Sequence, residues 1–537
     1  MNRNPKTRLA PAMSVLLFFI TGLALIPYPG LQNDELFFSG PIYAPDSAFF
    51  SLKAGAVKIP LMVMSYSGAL KTWLYAGLFE VFEANKWSVR IPALLMGMGT
   101  IWLTWRWVER IAGRRAAIVT VVLLSTDTIF LMTNTFDWGP VALQHLLLLG
   151  GLVAIQGWLG NGNRGLLALG FFLWGLGTWD KALLAWPLIG LATATACVYP
   201  REALARFRPR NVAVAALAFL LGAAPLVGYN IKRHGETAKA NARFTTEDFR
   251  NKVAALRITV DGSTLFDYMV YGNGAPGRRA PQTWIGRASA AIYGVVGEHR
   301  KNWMVPAYVA AFAGFVLFLA RSRMLWFLLI ATAVAWLQMA LTKGTGGASH
   351  HVILLWPFPV VFLGIVLARL SERLPVKIPA IGRDAGVLLL SVVVAFLAVE
   401  NLLTTNEYLE EFTANGGAGG WTDAIYPLAD SVDAKPASWI GMVDWGILNG
   451  LRLLHEGELP LFVVEPDADA AGIRRQIDDP KRLFIQHTDD KQIFPGINER
   501  FRNAALREGF AERVVKTVPD RNGRPVFEII SFERVNR

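Results

Sequence analysis

The chain has 537 residues, 53% of them hydrophobic and only 18% charged, with a formal net charge of +12. That apolar excess excludes an ordinary soluble globular protein. The basic residues lie mostly in short loops between apolar runs, so the positive charge reads as membrane topology and not as nucleic-acid binding.

The first residues, MNRNPKTRLA, are basic and lead into a long apolar stretch without a convincing small-residue cleavage site, the pattern of an uncleaved signal anchor. A membrane-crossing helix needs roughly 20 mostly apolar residues. Stretches of that kind occur near 11–30, 90–107, 115–132, 140–158, 165–179, 182–199, 211–229, 304–320, 324–341, 352–369 and 385–402. Cys197, the only cysteine, sits within one of them; it excludes an intrachain disulfide and reads as a small buried thiol.

Arg and Lys orient these eleven spans. Arg3, Lys6 and Arg8, then Arg106, Arg110, Arg114 and Arg115, then Arg201 to Arg210, Arg321, Arg323, Arg369, Arg373, Lys377 and Arg383 all fall on one side. The connection TNTFDWG on the other side has no basic residue. Positive charge marks the cytoplasmic side, which puts the N-terminus inside and the C-terminus outside.

Three outer segments are longer than turns: 31–89, 230–303 and the tail 403–537. In the second, Phe249, Val253 and Leu256 share a helical face, suited either to the membrane surface or to packing on the bundle. Gly-rich TANGGAGGW reads as a linker. Beyond it, ASWIGMVDW and PLFVVEP read as strands, and GILNGLRLLHEG and INERFRNAALREG as helices. The expected organisation is a polytopic α-helical membrane domain, 1–402, followed by a small extracytoplasmic α/β domain, 403–537.

Ionisable residues gather at the outer rim. Asp34, Glu35 and Asp46 lie in the first outer loop, Asp137 in TNTFDWGP, Asp180 and Lys181 in GTWDKALL, and His350 and His351 in GASHHVILLWPFP. Each has a plain structural reading. Asp34 and Glu35 suit a solvated loop start, Asp137 suits a helix cap, and Asp180 with Lys181 suits a local ion pair. Arg90, in WSVRIP, suits a residue snorkelling to headgroups. Neighbouring histidines point in different directions and seldom make a metal site by themselves. Within the spans, Asp127 and His145 are the main ionisable residues; Asp127 is where a transporter or flippase, the alternative class, would show a mid-membrane path.

An outer Asp–Glu pair directly after the first span resembles the GT-C glycosyltransferases, and most nearly the glycosyltransferase family 39 type, which includes protein O-mannosyltransferases and lipid A aminoarabinose transferases. GALKTWLYAGLFEVFEANKWSVRIPALLMG is similar to the family stretch that leads into an Arg-(Leu/Ile)-Pro. FDWGPVALQHLLLL, GLGTWDKALLAWPL and ASHHVILLWPFP resemble its later outer turns. The resemblance covers roughly residues 10–400. It departs from the family at Lys58–Pro60, where many relatives carry a Lys-Pro-Pro run and this chain has KIPL.

The resemblance implies a multi-pass enzyme of the cytoplasmic membrane, with no nucleic-acid partner. Its donor would be a polyprenyl-phosphate-linked sugar held among membrane lipids, and its acceptor a protein, a lipid or a glycan on the outer face. Acceptor activation needs a general base, assigned to Asp34, with Glu35 orienting it or binding acceptor and Asp137 as a second carboxylate. The departing lipid phosphate needs cations: Arg90, Lys58, Lys71 and Lys181 are the candidates. Asp46, Asp180, His350 and His351 complete the rim cluster. No cofactor is certain; a divalent metal on a carboxylate with His350 or His351 is the one considered.

Overall fold

The computed structural model describes residues 9–535 except positions 56, 140, 273, 374–376, 379–382 and 434–438. The basic arm with Arg3, Lys6 and Arg8 lies outside the described residues, as do the side chains of Lys377 and Arg383.

A helix, or two helices meeting at a bend, occupies each expected span. By length and apolar composition three of them, Ala142–Asn161, Arg323–Ala340 and Ala385–Asn415, qualify alone to cross a membrane. The number rises to as many as 7 if each of four bent pairs counts as one span, with Leu9–Leu25 and Met304–Leu319 as shorter apolar helices.

One bend explains Asp127. Helices Arg114–Thr126 and Thr128–Thr135 meet at 61°. Asp127 caps the second, accepting from the Phe130 N–H at 2.8 Å, while its other oxygen accepts from the Trp356 indole at 2.9 Å. Both carboxylate oxygens serve the break, and the side chain is buried. His145 is likewise committed, through Nε2 to the Ile353 carbonyl at 2.9 Å. Cys197 departs from expectation: it is exposed on helix Ala185–Val198.

The outer segments are structured. Segment 31–89 contains a hairpin of Phe50–Ala54 with Val57–Met62 and the helix Leu70–Phe79. In segment 230–303, helix Phe249–Val260 packs on the bundle. Phe249 meets Trp336 edge-on at 5.6 Å, and the Lys252 ammonium donates to the Ala340 carbonyl at 3.0 Å. Leu256 joins the same core while Val253 stays exposed, so this face packs on the bundle through Phe249 and Leu256.

The tail forms a five-stranded sheet in the order Leu461–Val463, Ile440–Met442, Leu483–His487, Pro525–Arg534, Phe510–Pro519. The first three strands are parallel and the last two antiparallel. Both expected strands and both expected helices are present, the helices as Leu448–Leu454 and Ile497–Arg507; the strand Leu483–His487 and the closing hairpin were not legible in the pattern.

The division at 402 falls inside helix Ala385–Asn415, and the Gly-rich stretch after it is docked, not free. Gly30 donates to the Trp421 carbonyl at 2.6 Å and Ala418 to that of Met269 at 2.9 Å. A Cβ on Gly417 would stand 1.9 Å from the Trp421 carbonyl oxygen, so glycine serves close approach here. Gly417→Ala is expected to cost about 1–3 kcal/mol. Limited proteolysis should then cut faster between bundle and tail; an unchanged digestion rate would show that the contact is not needed.

Candidate functional site

The site is built around one buried ion pair. Helix Lys86–Ala112 starts with Asn85 and Ser88 in a reciprocal cap, which sets Arg90 in its first turns facing inward. The guanidinium meets Glu35 with both forks, Nε to Oε1 at 2.8 Å and an Nη to Oε2 at 2.9 Å. Its remaining hydrogens go to the carbonyls of Ile26 at 3.0 Å, Pro29 at 2.9 Å and Gly30 at 2.6 Å. All five N–H donors of an arginine are thereby used. Its plane lies 4.8 Å from the Phe136 ring. Both residues are fully buried, so the pair ties the end of the first span to the acidic loop. Burial raises the Glu35 carboxyl above its usual range, and the always-charged guanidinium offsets part of that rise. Arg90 therefore has no donor left for a lipid phosphate.

With Glu35 held, its neighbour faces a cavity of about 170 Å³ whose walls include Asp34, Tyr66, Lys71, Lys181, His350 and Trp445. Asp34 is partly exposed to it. One carboxylate oxygen accepts from the Trp138 indole at 3.2 Å, and the Asp34 N–H donates to the Gln32 side chain at 2.6 Å. The Gln32 side chain also hydrogen-bonds this carboxylate. Burial raises the Asp34 carboxyl above its usual range, offset in part by the Trp138 hydrogen bond and the Lys181 charge.

Two lysines border the same space. Lys71 pairs with Asp137 at 2.6 Å and sits 4.6 Å from the Phe38 ring. The second Asp137 oxygen accepts from Val141 at 2.8 Å and Ala142 at 2.9 Å, capping helix Ala142–Asn161 as the sequence suggested. Both oxygens of Asp137 are engaged, and it does not line the cavity. Lys181 donates to the Gly139 carbonyl at 2.5 Å and makes no ion pair with a carboxylate among the described residues. It is the cavity cation whose charge is not already matched.

Asp180 borders the cavity and ties its walls together. Its side chain accepts from Gln144 at 2.8 Å, and its carbonyl accepts from Gly68 at 3.0 Å and Ser67 at 3.2 Å. No Asp180–Lys181 ion pair forms. His350 lines the cavity, packs 4.7 Å from Trp138 and against Gly139, and leaves Nδ1 buried and unpartnered. His351 turns away, with Nδ1 accepting from Gly346 at 3.2 Å. Lys58 on the exposed hairpin pairs with Asp46 in the turn before it, outside the cavity, whereas Lys71 lines the cavity. No group of three or more His, Cys, Asp or Glu among the described residues is arranged for a metal ion, so the metal considered from the histidines finds no ligand set there. Tyr66, Trp138 and Trp445 escaped sequence reading; Trp138 stood beside Asp137 in the quoted motif.

Residues 68–229 match the family model for dolichyl-phosphate-mannose-protein mannosyltransferase. No curated protein matches the sequence. Among solved structures, ArnT from Cupriavidus metallidurans in the apo state is similar with a TM-score of 0.57 at 14% identity, over 97% of each chain. Its complex with undecaprenyl phosphate aligns with a TM-score of 0.55 at 13% identity, again over 97% of each. The Archaeoglobus fulgidus oligosaccharyltransferase is similar at 11% identity with a TM-score of 0.50, over 95% of this chain and 67% of that one. The chain thus has the fold of these GT-C glycosyltransferases along nearly its whole length, and over residues 68–229 it carries the sequence pattern of the mannosyltransferase family.

Proposed function

We propose that this protein is a multi-pass glycosyltransferase that moves a sugar from a polyprenyl-phosphate donor to a hydroxyl acceptor at the outer face of the cytoplasmic membrane. The carrying observation is the pairing, in one cavity, of a partly exposed carboxylate, Asp34, and a lysine that makes no ion pair with a carboxylate among the described residues, Lys181. The ArnT complex with undecaprenyl phosphate supports a donor of this class. The positive-inside pattern supports eleven spans with the tail outside.

In the reaction, the bond from the sugar's anomeric carbon to the phosphate oxygen breaks as a bond to the acceptor oxygen forms. The acceptor proton passes to Asp34, acting as general base. Attack from the opposite face inverts the anomeric carbon, as the resemblance implies. The phosphate leaves with one more negative charge than it had as a diester, and Lys181 and Lys71 stand where that charge grows. Asp137 holds Lys71, and Glu35 with Arg90 holds the loop that carries Asp34. Whether the acceptor is protein, lipid or glycan is decided by contacts outside this set.

Lys181→Met is expected to weaken binding of undecaprenyl phosphate about tenfold or more, read as a lost thermal shift on addition of the lipid. An unchanged shift would remove Lys181 from the donor site.

A further inference from the structure

The chain that leaves the carboxyl end of the tail's strand Ile440–Met442 reaches the cavity wall. Strand Ile440–Met442 lies between Leu461–Val463 and Leu483–His487, so the chain runs from it to one neighbour and then crosses back to the other side. Such a reversal opens a crevice at the carboxyl ends of the strands, the place where open α/β sheets take ligands. The chain leaving strand Ile440–Met442 there is Val443-Asp444-Trp445-Gly446, and Trp445 forms part of the wall of the cavity that contains Asp34 and Lys181.

Trp445 is held firmly. Asp444, itself buried, accepts from the Trp445 N–H at 2.8 Å with one oxygen. Its other oxygen accepts from Ile493 at 2.7 Å and bonds His487 Nδ1 at 2.8 Å. Gly446, at φ +96°, then turns the chain into helix Leu448–Leu454. Leu453 of that helix packs in one apolar cluster with Leu31, Leu36 and Phe38, the loop that carries Asp34. The backbone that carries Trp445 and the loop that carries Asp34 are thus tied through a shared core, although they come from opposite ends of the chain.

A pyranose ring presents polar hydroxyls at its edge and an apolar face of C–H bonds, and a flat indole in a partly polar cavity suits that face. We propose that Trp445 is the sugar-stacking wall of the site, through which the tail domain helps select the sugar. This deepens the glycosyltransferase reading and rests on it. Trp445 is a specificity residue here, with no part in proton transfer.

The test uses the full-length protein in liposomes, with a polyprenyl-phosphate sugar that the wild type consumes and its acceptor. Trp445→Ala should raise KM about tenfold for one substrate while kcat stays within about twofold. A rise in donor KM assigns the stacked ring to the donor, and a rise in acceptor KM assigns it to a glycan acceptor. Trp445→Phe, which keeps a flat ring, should retain most affinity, whereas Trp445→Leu should behave like alanine. The inference is overturned if both KM values of folded Trp445→Ala match wild type, or if leucine serves as well as phenylalanine. A wild type that consumes no donor overturns the transferase reading and this inference with it.

Discussion

Asp34→Asn should lower turnover by about 100-fold or more while the protein stays folded, because it removes the general base and keeps the shape of the side chain. The amide oxygen can still accept from the Trp138 indole, so the loop should keep its place. The pH profile carries a sign that separates this role from a structural one. Burial raises the Asp34 carboxyl, and only the ionised form accepts the acceptor's proton. Turnover should therefore be full well above that raised pKa and fall as pH drops through it, at a pH above the usual carboxylate range near 4. The residual activity of Asp34→Asn should lack this limb. A profile that keeps the same acidic limb in the variant would move the base elsewhere.

Removing Arg90 should be the most damaging change for folding. Arg90→Met leaves Glu35 as a buried charge without a partner and strands three backbone carbonyls, at a cost of about 3–5 kcal/mol. The thermal midpoint should fall sharply in the absence of any donor. Adding Glu35→Leu to Arg90→Met should recover part of the loss, since the uncompensated carboxylate is then gone; the carbonyls keep the recovery incomplete. If instead Arg90→Met melts like wild type and loses only lipid binding, Arg90 is a phosphate clamp after all.

The contrast between these two neighbours shows what was legible in the sequence. Local chemistry could be read: the positions of the spans, the rim clustering of charge, and Asp137 as a cap a few residues before its helix. Roles that depend on distant partners could not. Asp34 and Glu35 are adjacent and chemically alike, and only the arrival of Arg90, fifty-five positions away, commits one of them to structure and leaves the other facing the cavity. Lys58 and Lys71 differ for the same reason: one, on the hairpin, is drawn off by Asp46, and the other is held at the site by Asp137. The glycines of the TANGGAGGW stretch carry a composition shared by flexible linkers and tight contacts, and the Trp421 carbonyl decides between the two. Trp445 lay in a segment read correctly as a strand, yet no pattern along the chain placed its end against Asp34.

The most direct measurement is transfer itself. Wild-type protein in liposomes is given a panel of polyprenyl-phosphate sugars with candidate hydroxyl acceptors, and the lipids and acceptors are followed by mass spectrometry. The expected result is consumption of one donor, release of free polyprenyl phosphate, and the matching mass gain on an acceptor, with all three lost in Asp34→Asn. Donors that stay intact while the lipid or sugar changes sides of the membrane would contradict the enzyme and establish a transporter in its place.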